Sequence, residues 1–210
     1  MSTAVTTRRE KFTEVYQKNA WRGSESVSGT GSDLRQTVSI RETLPQLLRE
    51  LKATSLIDAP CGDFHWMKEM SADIRYTGVD IVQELVDRLN ERYSQPNRSF
   101  ECHDLVTDIL PRADVILCRD CLVHLPLHEV AVVLRNFVKS GSTWLLTTTF
   151  PRTAANTDVR WSGWRPLNLQ VDPFLLPEPL QLINEGCTED GGKYTDKSLG
   201  LWRLSDLSGT

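Results

Sequence analysis

Residues 54–64 read TSLIDAPCGDF, an apolar run that ends in an aspartate and continues into a turn with a single glycine. Its length and its aliphatic residues are typical of a buried strand. Similar runs predict strands at residues 74–80, 99–104, 113–120 and 142–150. Helical patterns separate most of these runs, and this alternation indicates parallel β-α-β units with right-handed crossovers. The core of the chain is therefore predicted to be a doubly wound α/β sheet.

Five helices are predicted around this core, and in two of them, residues 33–52 and 81–93, the apolar residues recur at the spacing of one buried helix face. The five helices cover residues 9–18, 33–52, 63–70, 81–93 and 126–139. Pro45 falls inside the second of these segments, where we expect it to kink the helix or to restart it at a first-turn position.

The alternation of strands and helices stops after residue 150. Residues 151–179 form a long stretch containing Pro, Trp and Arg, and an irregular segment of this length is more often a functional loop than idle chain. Two further strands are predicted at residues 180–185 and 198–204 and would form a closing hairpin. The predicted fold is a mostly parallel seven-stranded sheet with helices on both faces and a C-terminal antiparallel hairpin.

The composition fits one globular domain with extensions, because the chain has 210 residues, of which 40% are hydrophobic and 25% are charged. Such a composition excludes an intrinsically disordered chain, and no apolar run is long enough for a membrane span. The 28 acidic and 24 basic residues give a net charge of −4, so a nucleic-acid partner is not expected. The first residues contain no apolar stretch of the secretory type, which predicts a cytoplasmic protein.

The five cysteines are an odd number, which fits reduced thiols better than a set of disulfides. Cys118 and Cys121 form a C-x-x-C pair at the end of an apolar run. No second pair accompanies them, and the context is not thioredoxin-like. We expect buried thiols here, with a metal or redox role as the alternative.

Aspartates occur where four successive strands are predicted to end. These residues are Asp58 with Asp63 in the turn that follows it, then Asp80, Asp104 and Asp120. Ligands of open parallel sheets bind at the carboxyl ends of the strands, so these side chains predict one shared ligand. A helix N-cap is the alternative role for the aspartates at strand-helix turns.

The first turn indicates what kind of ligand this is. It contains Gly62 alone, whereas dinucleotide folds use a G-x-G-x-x-G loop to approach a pyrophosphate, so a nicotinamide oxidoreductase is disfavoured. Asp80 follows about 20 residues later, where a carboxylate can accept both hydroxyls of a ribose. The sequence therefore predicts an adenosine-like ligand without a pyrophosphate and with a cationic portion near Asp58 and Asp63. S-adenosylmethionine has these properties.

Four stretches resemble the motifs of class I S-adenosylmethionine-dependent methyltransferases. LIDAPCGDFHWM is similar to their first motif, YTGVDI to the second, ECHDL to the third and ADVILCRDCLVHL to the fourth. The resemblance covers roughly residues 55–150, and WRGSESVSGTG and GWRPLNL resemble those of a bacterial subgroup with a DAPCGDFxWM first motif. The first motif departs from D-x-G-x-G-x-G, since Pro60 and Asp63 replace two glycines.

The resemblance implies the positions that contact S-adenosylmethionine. These are Asp58, Ala59, Cys61, Gly62, Asp63, Asp80, Ile81, Asp104, Leu105 and Arg119. The first motif would line the methionine end, Asp80 would bind the ribose, and Asp104 would accept from the adenine amino group. Ile81 and Leu105 would lie beside the adenine.

It also implies a division of the single domain, residues 1–210, into four parts. Residues 1–52 would be an N-terminal helical cap and residues 53–150 the cofactor-binding core. Residues 151–179 would be an acceptor-binding insertion, and residues 180–210 the closing hairpin.

The fourth motif supplies the candidates for catalysis. Asp120 would lie where cofactor and acceptor meet, and His124 is the candidate general base for an acceptor hydroxyl or amine. A structural role for His124 is the main alternative. His124 and His128 also form an H-x-x-x-H, but Pro126 between them spoils a helical metal face, so no metal is expected.

Acceptor contacts are expected from the insertion and from the N-terminal part, because indole faces stack on sugars or rings and Arg, Asn and Asp bind polar groups. The candidates are Trp21, Arg22, Asn156, Asp158, Arg160, Trp161, Trp164, Arg165 and Asn168. A loop anchored by its own tryptophans is the alternative.

The sequence therefore predicts a methyltransferase, monomeric or homodimeric, that acts at oxygen on a small-molecule or saccharide acceptor. N-methylation, a protein or RNA acceptor, and a non-catalytic module that binds S-adenosylmethionine are the alternatives.

Overall fold

The computed structural model describes residues 6–70 and 73–207, and within them the chain forms one seven-stranded sheet. The outer ends of the predicted terminal parts, residues 1–5 and 208–210, lie outside the described residues. The strands are β1 (Ser55–Asp58), β2 (Arg75–Asp80), β3 (Arg98–Cys102), β4 (Val115–Cys118), β5 (Trp144–Thr149), β6 (Gln181–Asn184) and β7 (Ser198–Arg203).

The strand order is β3-β2-β1-β4-β5-β7-β6. The first five strands in this order pair in parallel, and β7 runs antiparallel to both of its neighbours. Asp58 pairs in register with Gly78 of β2 and with Leu117 of β4, which brings the carboxyl ends of these strands to one edge. The predicted class, a mostly parallel seven-stranded sheet with a C-terminal antiparallel hairpin, is confirmed.

Four α-helices surround the sheet in the described part of the chain: α1 (Arg8–Gln17), α2 (Val38–Glu50), α3 (Gln83–Tyr93) and α4 (Leu127–Lys139). The predicted helix at residues 33–52 begins only at Val38, and Pro45 lies inside it rather than in its first turn. None of these helices has the length and apolar character that a transmembrane span requires.

Two of the predicted strand-helix units are incomplete. The segment predicted as a helix at residues 63–70 contains only a 3-10 turn, Met67–Glu69. Phe64 has φ of 59°, a left-handed conformation that a right-handed helix does not contain, and its ring packs against Tyr76 and Phe100. Tertiary packing therefore overrides the local helical pattern. The connection from β3 to β4, residues 103–114, is fully described and contains no helix either.

The core consists of two layers, one on each face of the sheet, because successive strand residues point to opposite sides. Leu56 of β1 packs in the layer with helices α2 and α3, whereas its neighbour Ile57 packs in the layer with α4. In β4, Leu117 and Ile116 divide in the same way. All residues of β1 and β4 are buried, as expected for central strands covered on both faces.

Candidate active site

A cleft lies at the carboxyl edge of the sheet and encloses about 1130 Å³ of space, including open solvent in front of it. Its outer wall comes from α1 and the loop after it, here called the N-terminal segment (residues 8–32). The sequence-predicted residues that line the cleft are Trp21, Asp58, Cys61, Gly62, Asp63, Asp80, Ile81, Asp104, Leu105, Arg119, Asp120 and His124. Ala59 is fully buried in the core instead, and Arg22 is exposed outside the lining.

Asp58 and Asp80 are buried carboxyl groups at the ends of β1 and β2. Burial raises the pKa of Asp58 to about 7, although the Tyr76 hydroxyl donates a hydrogen bond to it at 2.8 Å. Burial also raises the pKa of Asp80 to about 6, against hydrogen bonds from backbone N–H groups such as that of Val82. Neither carboxyl forms a salt bridge within the described residues, so a positively charged ligand would stabilise both carboxylates.

The turn after β1 holds the N-terminal segment against the cleft. Asp63 accepts hydrogen bonds from the Ser26 hydroxyl at 2.9 Å and from the Val27 N–H at 3.0 Å. Gly62 has φ of 52°, and a Cβ at this position would lie 2.2 Å from the Ser28 hydroxyl oxygen. Glycine is therefore required here by both its conformation and its lack of a side chain. Asp63 is engaged with the loop, and its predicted contact with an ammonium group remains a prediction.

Asp104, at the end of β3, is paired with α1. Its Oδ2 lies 2.5 Å from Arg8 Nη1, and its Oδ1 accepts from the Val106 N–H at 3.0 Å. Arg8 also binds Glu129 of α4 through Nη2 at 2.6 Å. Arg8 thus fastens α1 across the cleft, and the carboxylate predicted to meet an adenine amino group already has a cationic partner.

A buried set of four charges lies behind the ends of β4 and β7. Lys197 Nζ contacts Asp120 Oδ2 at 2.6 Å, and Arg119 donates to Glu185 Oε2 through Nε at 3.0 Å and Nη2 at 2.7 Å. Burial alone would raise the pKa of Asp120, but the charges of Lys197 and Arg119 outweigh it and lower this pKa to about 2. Asp120 is therefore a carboxylate at every physiological pH.

The backbone of Asp120 is held in an unusual conformation. Its φ is 50°, in the left-handed region that costs a residue other than glycine about 1 kcal/mol or more. The Asp120 N–H donates to the Thr148 hydroxyl at 2.9 Å, which fixes this geometry. The Oδ1 atom of Asp120 and the Oε1 atom of Glu185 are buried and accept no hydrogen bond within the described residues. Such strain and unpaired acceptors are typical of functional sites.

His124 has the hydrogen bonding of a neutral base. Its Nδ1 lies 2.7 Å from the Gly163 carbonyl oxygen, which can only accept, so Nδ1 carries the proton and Nε2 carries the lone pair. Burial lowers the pKa of His124, which keeps the ring neutral near pH 7. The Trp21 ring stacks on it with the centroids 4.8 Å apart. His128 is exposed, and among residues 6–70 and 73–207 no three His, Cys, Asp or Glu side chains are arranged to hold a metal ion.

The candidates in the insertion lie outside the cleft lining. Arg165 donates to three backbone carbonyl groups, those of Thr157, Leu122 and Leu125. The side chains of the other polar or aromatic candidates bind the insertion itself or the start of α4, or are exposed: Asn156, Asp158, Arg160, Trp161, Trp164 and Asn168. The geometry thus favours the structural alternative, with the insertion supporting His124 through Gly163.

The structure adds site residues that sequence patterns did not indicate. Arg8, Phe12 and Ser28 line the cleft from the N-terminal segment, while Glu185 and Lys197 of the C-terminal hairpin lie behind the lining and pair with Arg119 and Asp120. One signal was present: Glu185 and Lys197 are charged residues at the ends of the predicted closing strands. No local pattern could pair Glu185 with Arg119 or Lys197 with Asp120, because the two residues of each pair are more than 60 positions apart in sequence.

Solved structures with the same fold are methyltransferases in several cases. Burkholderia thailandensis 1,6-didemethyltoxoflavin-N1-methyltransferase, solved with 1,6-didemethyltoxoflavin and S-adenosylhomocysteine, is 16% identical with a TM-score of 0.61 over 97% of this chain and 92% of that chain. Human N-acetylserotonin methyltransferase, solved with S-adenosylmethionine, is 14% identical with a TM-score of 0.63 over 94% of this chain and 60% of that chain. The [4+2]-cyclase SpnF is 18% identical with a TM-score of 0.52 over 77% of this chain and 80% of that chain.

The chain therefore has the Rossmann-like α/β fold of class I S-adenosylmethionine-dependent methyltransferases. No protein-family model and no curated protein matches it. At these identities the likeness shows the fold alone, and the cyclase shows that one fold serves more than one activity. The function has to be argued from the site.

Proposed function

We propose that this protein transfers a methyl group from S-adenosylmethionine to an oxygen atom of a small-molecule or saccharide acceptor. The observation that carries the proposal is the pair of buried carboxyl groups, Asp58 and Asp80, at the ends of adjacent strands. Burial raises both pKa values, and neither carboxyl forms a salt bridge within the described residues. A ligand that carries a sulfonium and an ammonium group would supply the missing charge.

The residues around the cleft fit this cofactor. Asp80 would accept the ribose hydroxyls and Ile81 would lie beside the adenine, while Asp58, Cys61 and Gly62 would line the methionine end. When bound, S-adenosylmethionine supplies a methyl group that is already activated by the sulfonium. The protein then has to align donor and acceptor, exclude water and receive the acceptor's proton.

His124 would receive that proton. Its Nε2 lone pair is available because Nδ1–H is bound to the Gly163 carbonyl, and burial keeps the ring neutral. A neutral imidazole can take the proton of an acceptor hydroxyl as the oxygen is methylated. Trp21 and the carboxylate of Asp120 would border the acceptor at this end of the cleft.

Calorimetry tests the cofactor assignment. Asp80→Asn should weaken the binding of S-adenosylmethionine by about tenfold or more, because the amide cannot replace a charge-assisted acceptor. Asp87→Asn, an exposed aspartate of α3, is the matched control and should bind like the wild type. Unchanged affinity in Asp80→Asn would contradict the assignment.

Turnover tests the catalytic assignment. The protein is incubated with labelled S-adenosylmethionine and a host extract, and mass spectrometry identifies what gains a methyl group. His124→Ala should keep cofactor binding and lose about 100-fold or more in transfer rate, the usual contribution of a general base. His128→Ala, at an exposed position, is the control. Full transfer by His124→Ala would remove it as the base, and cofactor binding without any transfer by the wild type would favour a binding module.

A further inference from the structure

The positive charges that line the cleft are all neutralised by the protein itself. Among the described residues, the lining contains two lysine or arginine side chains, Arg8 and Arg119. Arg8 is bound to Asp104 and Glu129, as described above. Arg119 uses Nε and Nη2 on Glu185, Nη2 on the Gly31 carbonyl at 2.8 Å, and Nη1 on Asp120 at 3.2 Å. Neither guanidinium has a free face for an anionic ligand.

Negative charge is in excess over the same surface. The lining contains the carboxyl groups of Asp58, Asp63, Asp80, Asp104 and Asp120 against the two arginines. At the end of the cleft near His124 the local carboxylate is Asp120. Its Oδ2 is already paired with Lys197 and Arg119, and its Oδ1 accepts no hydrogen bond in the described part of the chain. An anion placed here would lose its hydration without gaining a cation, which is unfavourable in a partly buried site.

The remainder of this end is flat and apolar. Trp21 stacks on His124 with an angle of 28° between the rings, and Phe12 lies 6.4 Å from Trp21, centroid to centroid. Leu125, next to His124 in sequence, also lines the cleft. The polar group offered here, His124 Nε2, is a hydrogen-bond acceptor. Aromatic surfaces of this kind bind flat rings by stacking and edge contacts.

We infer that the acceptor presents its reactive hydroxyl or amine on a flat apolar or aromatic frame, and that it carries no carboxylate or phosphate at this end. This inference rests on the proposed function, since it describes the second substrate of the same site. The same inference makes Glu185 a residue that determines which charge the acceptor can carry. Its side chain is 1% exposed and outside the lining, yet it neutralises Arg119 and lies 3.6 Å from Lys197.

Three probes with one indole ring test the inference: tryptamine is cationic, tryptophol is neutral, and indole-3-acetate is anionic. Their dissociation constants are measured by ligand-observed NMR on protein saturated with S-adenosylhomocysteine, whose own binding is measured first. Tryptamine and tryptophol should bind at least about tenfold more tightly than indole-3-acetate, a factor that one modest charge interaction supplies. Equal or tighter binding of indole-3-acetate would overturn the inference, as would the absence of saturable binding by all three.

Failure of S-adenosylhomocysteine to bind would instead count against the proposed function, so the two failures are distinguishable. Glu185→Gln removes one negative charge behind the cleft without changing its lining. It should tighten indole-3-acetate and weaken tryptamine, narrowing their ratio by about threefold or more. Glu178→Gln makes the same change at an exposed position and should leave the ratio unchanged. An unchanged ratio in folded Glu185→Gln would overturn its role, and if that variant does not fold, the wild-type ranking decides.

Discussion

Lowering the pH below 7 should weaken the binding of S-adenosylmethionine, because the carboxyl groups that attract its positive charge become protonated. Burial raises the pKa of Asp58 from 3.8 to about 7 and that of Asp80 from 3.8 to about 6. Both groups are therefore largely ionised at pH 7.5 and largely protonated at pH 5.5. A bound cation favours the ionised form, so binding in this range releases protons.

The size of the effect follows from these two pKa values. If only the ionised forms bind, protonation of Asp58 between pH 7.5 and 5.5 should weaken binding about 25-fold, and protonation of Asp80 should weaken it about fourfold. Together they give about 100-fold, or about 3 kcal/mol of binding free energy. The amino group of the ligand changes its charge mainly above this range and opposes the effect by less than about twofold.

Calorimetry across this pH range, in two buffers with different heats of ionisation, measures both the affinity and the number of protons released. Tyr76→Phe removes the hydroxyl that donates to Asp58 and should move the midpoint of the affinity loss to higher pH. An affinity constant within about twofold from pH 7.5 to 5.5, without proton release, would refute the reasoning, because two pKa values of this kind require a larger change.

In the ligand-free protein, the contribution of these groups to the free energy of unfolding should change with pH in the opposite direction to the binding affinity. A carboxyl whose pKa is raised on folding contributes stability that is present below its unfolded pKa, near 3.8, and is lost as the pH rises through its folded pKa. For Asp58 this difference is about 4 kcal/mol. The free energy of unfolding of the wild type, relative to that of Asp58→Asn, should therefore fall between pH 4 and about 7. Because Asp58 stabilises the fold more at low pH, a loss of affinity on acidification that comes from this group cannot be explained by unfolding.

Three substitutions test the supporting structure. Arg165→Ala should lower the free energy of unfolding in urea by about 3 kcal/mol, because three backbone carbonyls lose their donor, while cofactor affinity changes by less than about threefold. Gly62→Ala should cost about 2 kcal/mol from backbone strain and the clash with Ser28, and adding Ser28→Gly should recover part of the lost melting temperature. Trp161→Phe, which removes the indole donor to Glu129, should cost about 1 kcal/mol, and loss of methyl transfer in this variant would restore an acceptor-binding role for Trp161.

The sequence predicts most of the sheet because its strands are local apolar runs bounded by turns. The runs at residues 74–80 and 142–150 contain β2 and β5 almost without a shift of boundary. The helix predicted at residues 63–70 fails for a reason that no local pattern contains. Phe64 is drawn into the core by aromatic residues of β2 and β3, and its left-handed backbone ends any helix there.

The residues of the candidate site also fall into those that local sequence patterns predict and those that only long-range contacts bring into place. Asp58, Asp80 and His124 could be chosen from the sequence, because each lies at or just after the end of a predicted strand and the ends of parallel strands meet at one edge. Arg8 and Lys197 could not, because each contacts a residue of the cleft lining from an element distant in sequence. Long-range contacts of this kind depend on how the chain termini fold back over the sheet.

Charge compensation explains how one cleft could hold two different ligands. At the cofactor end, Asp58 and Asp80 form no salt bridge in the described chain, burial raises the pKa values of both, and a cationic ligand is favoured. At the other end, Lys197 and Arg119 fix the charge of Asp120, and Glu185 cancels the remaining positive charge. An uncompensated carboxylate attracts the charged cofactor, whereas a compensated set leaves shape and hydrogen bonding to select the acceptor. Altering Glu185 should therefore change the choice of acceptor and leave the affinity for S-adenosylmethionine within about threefold.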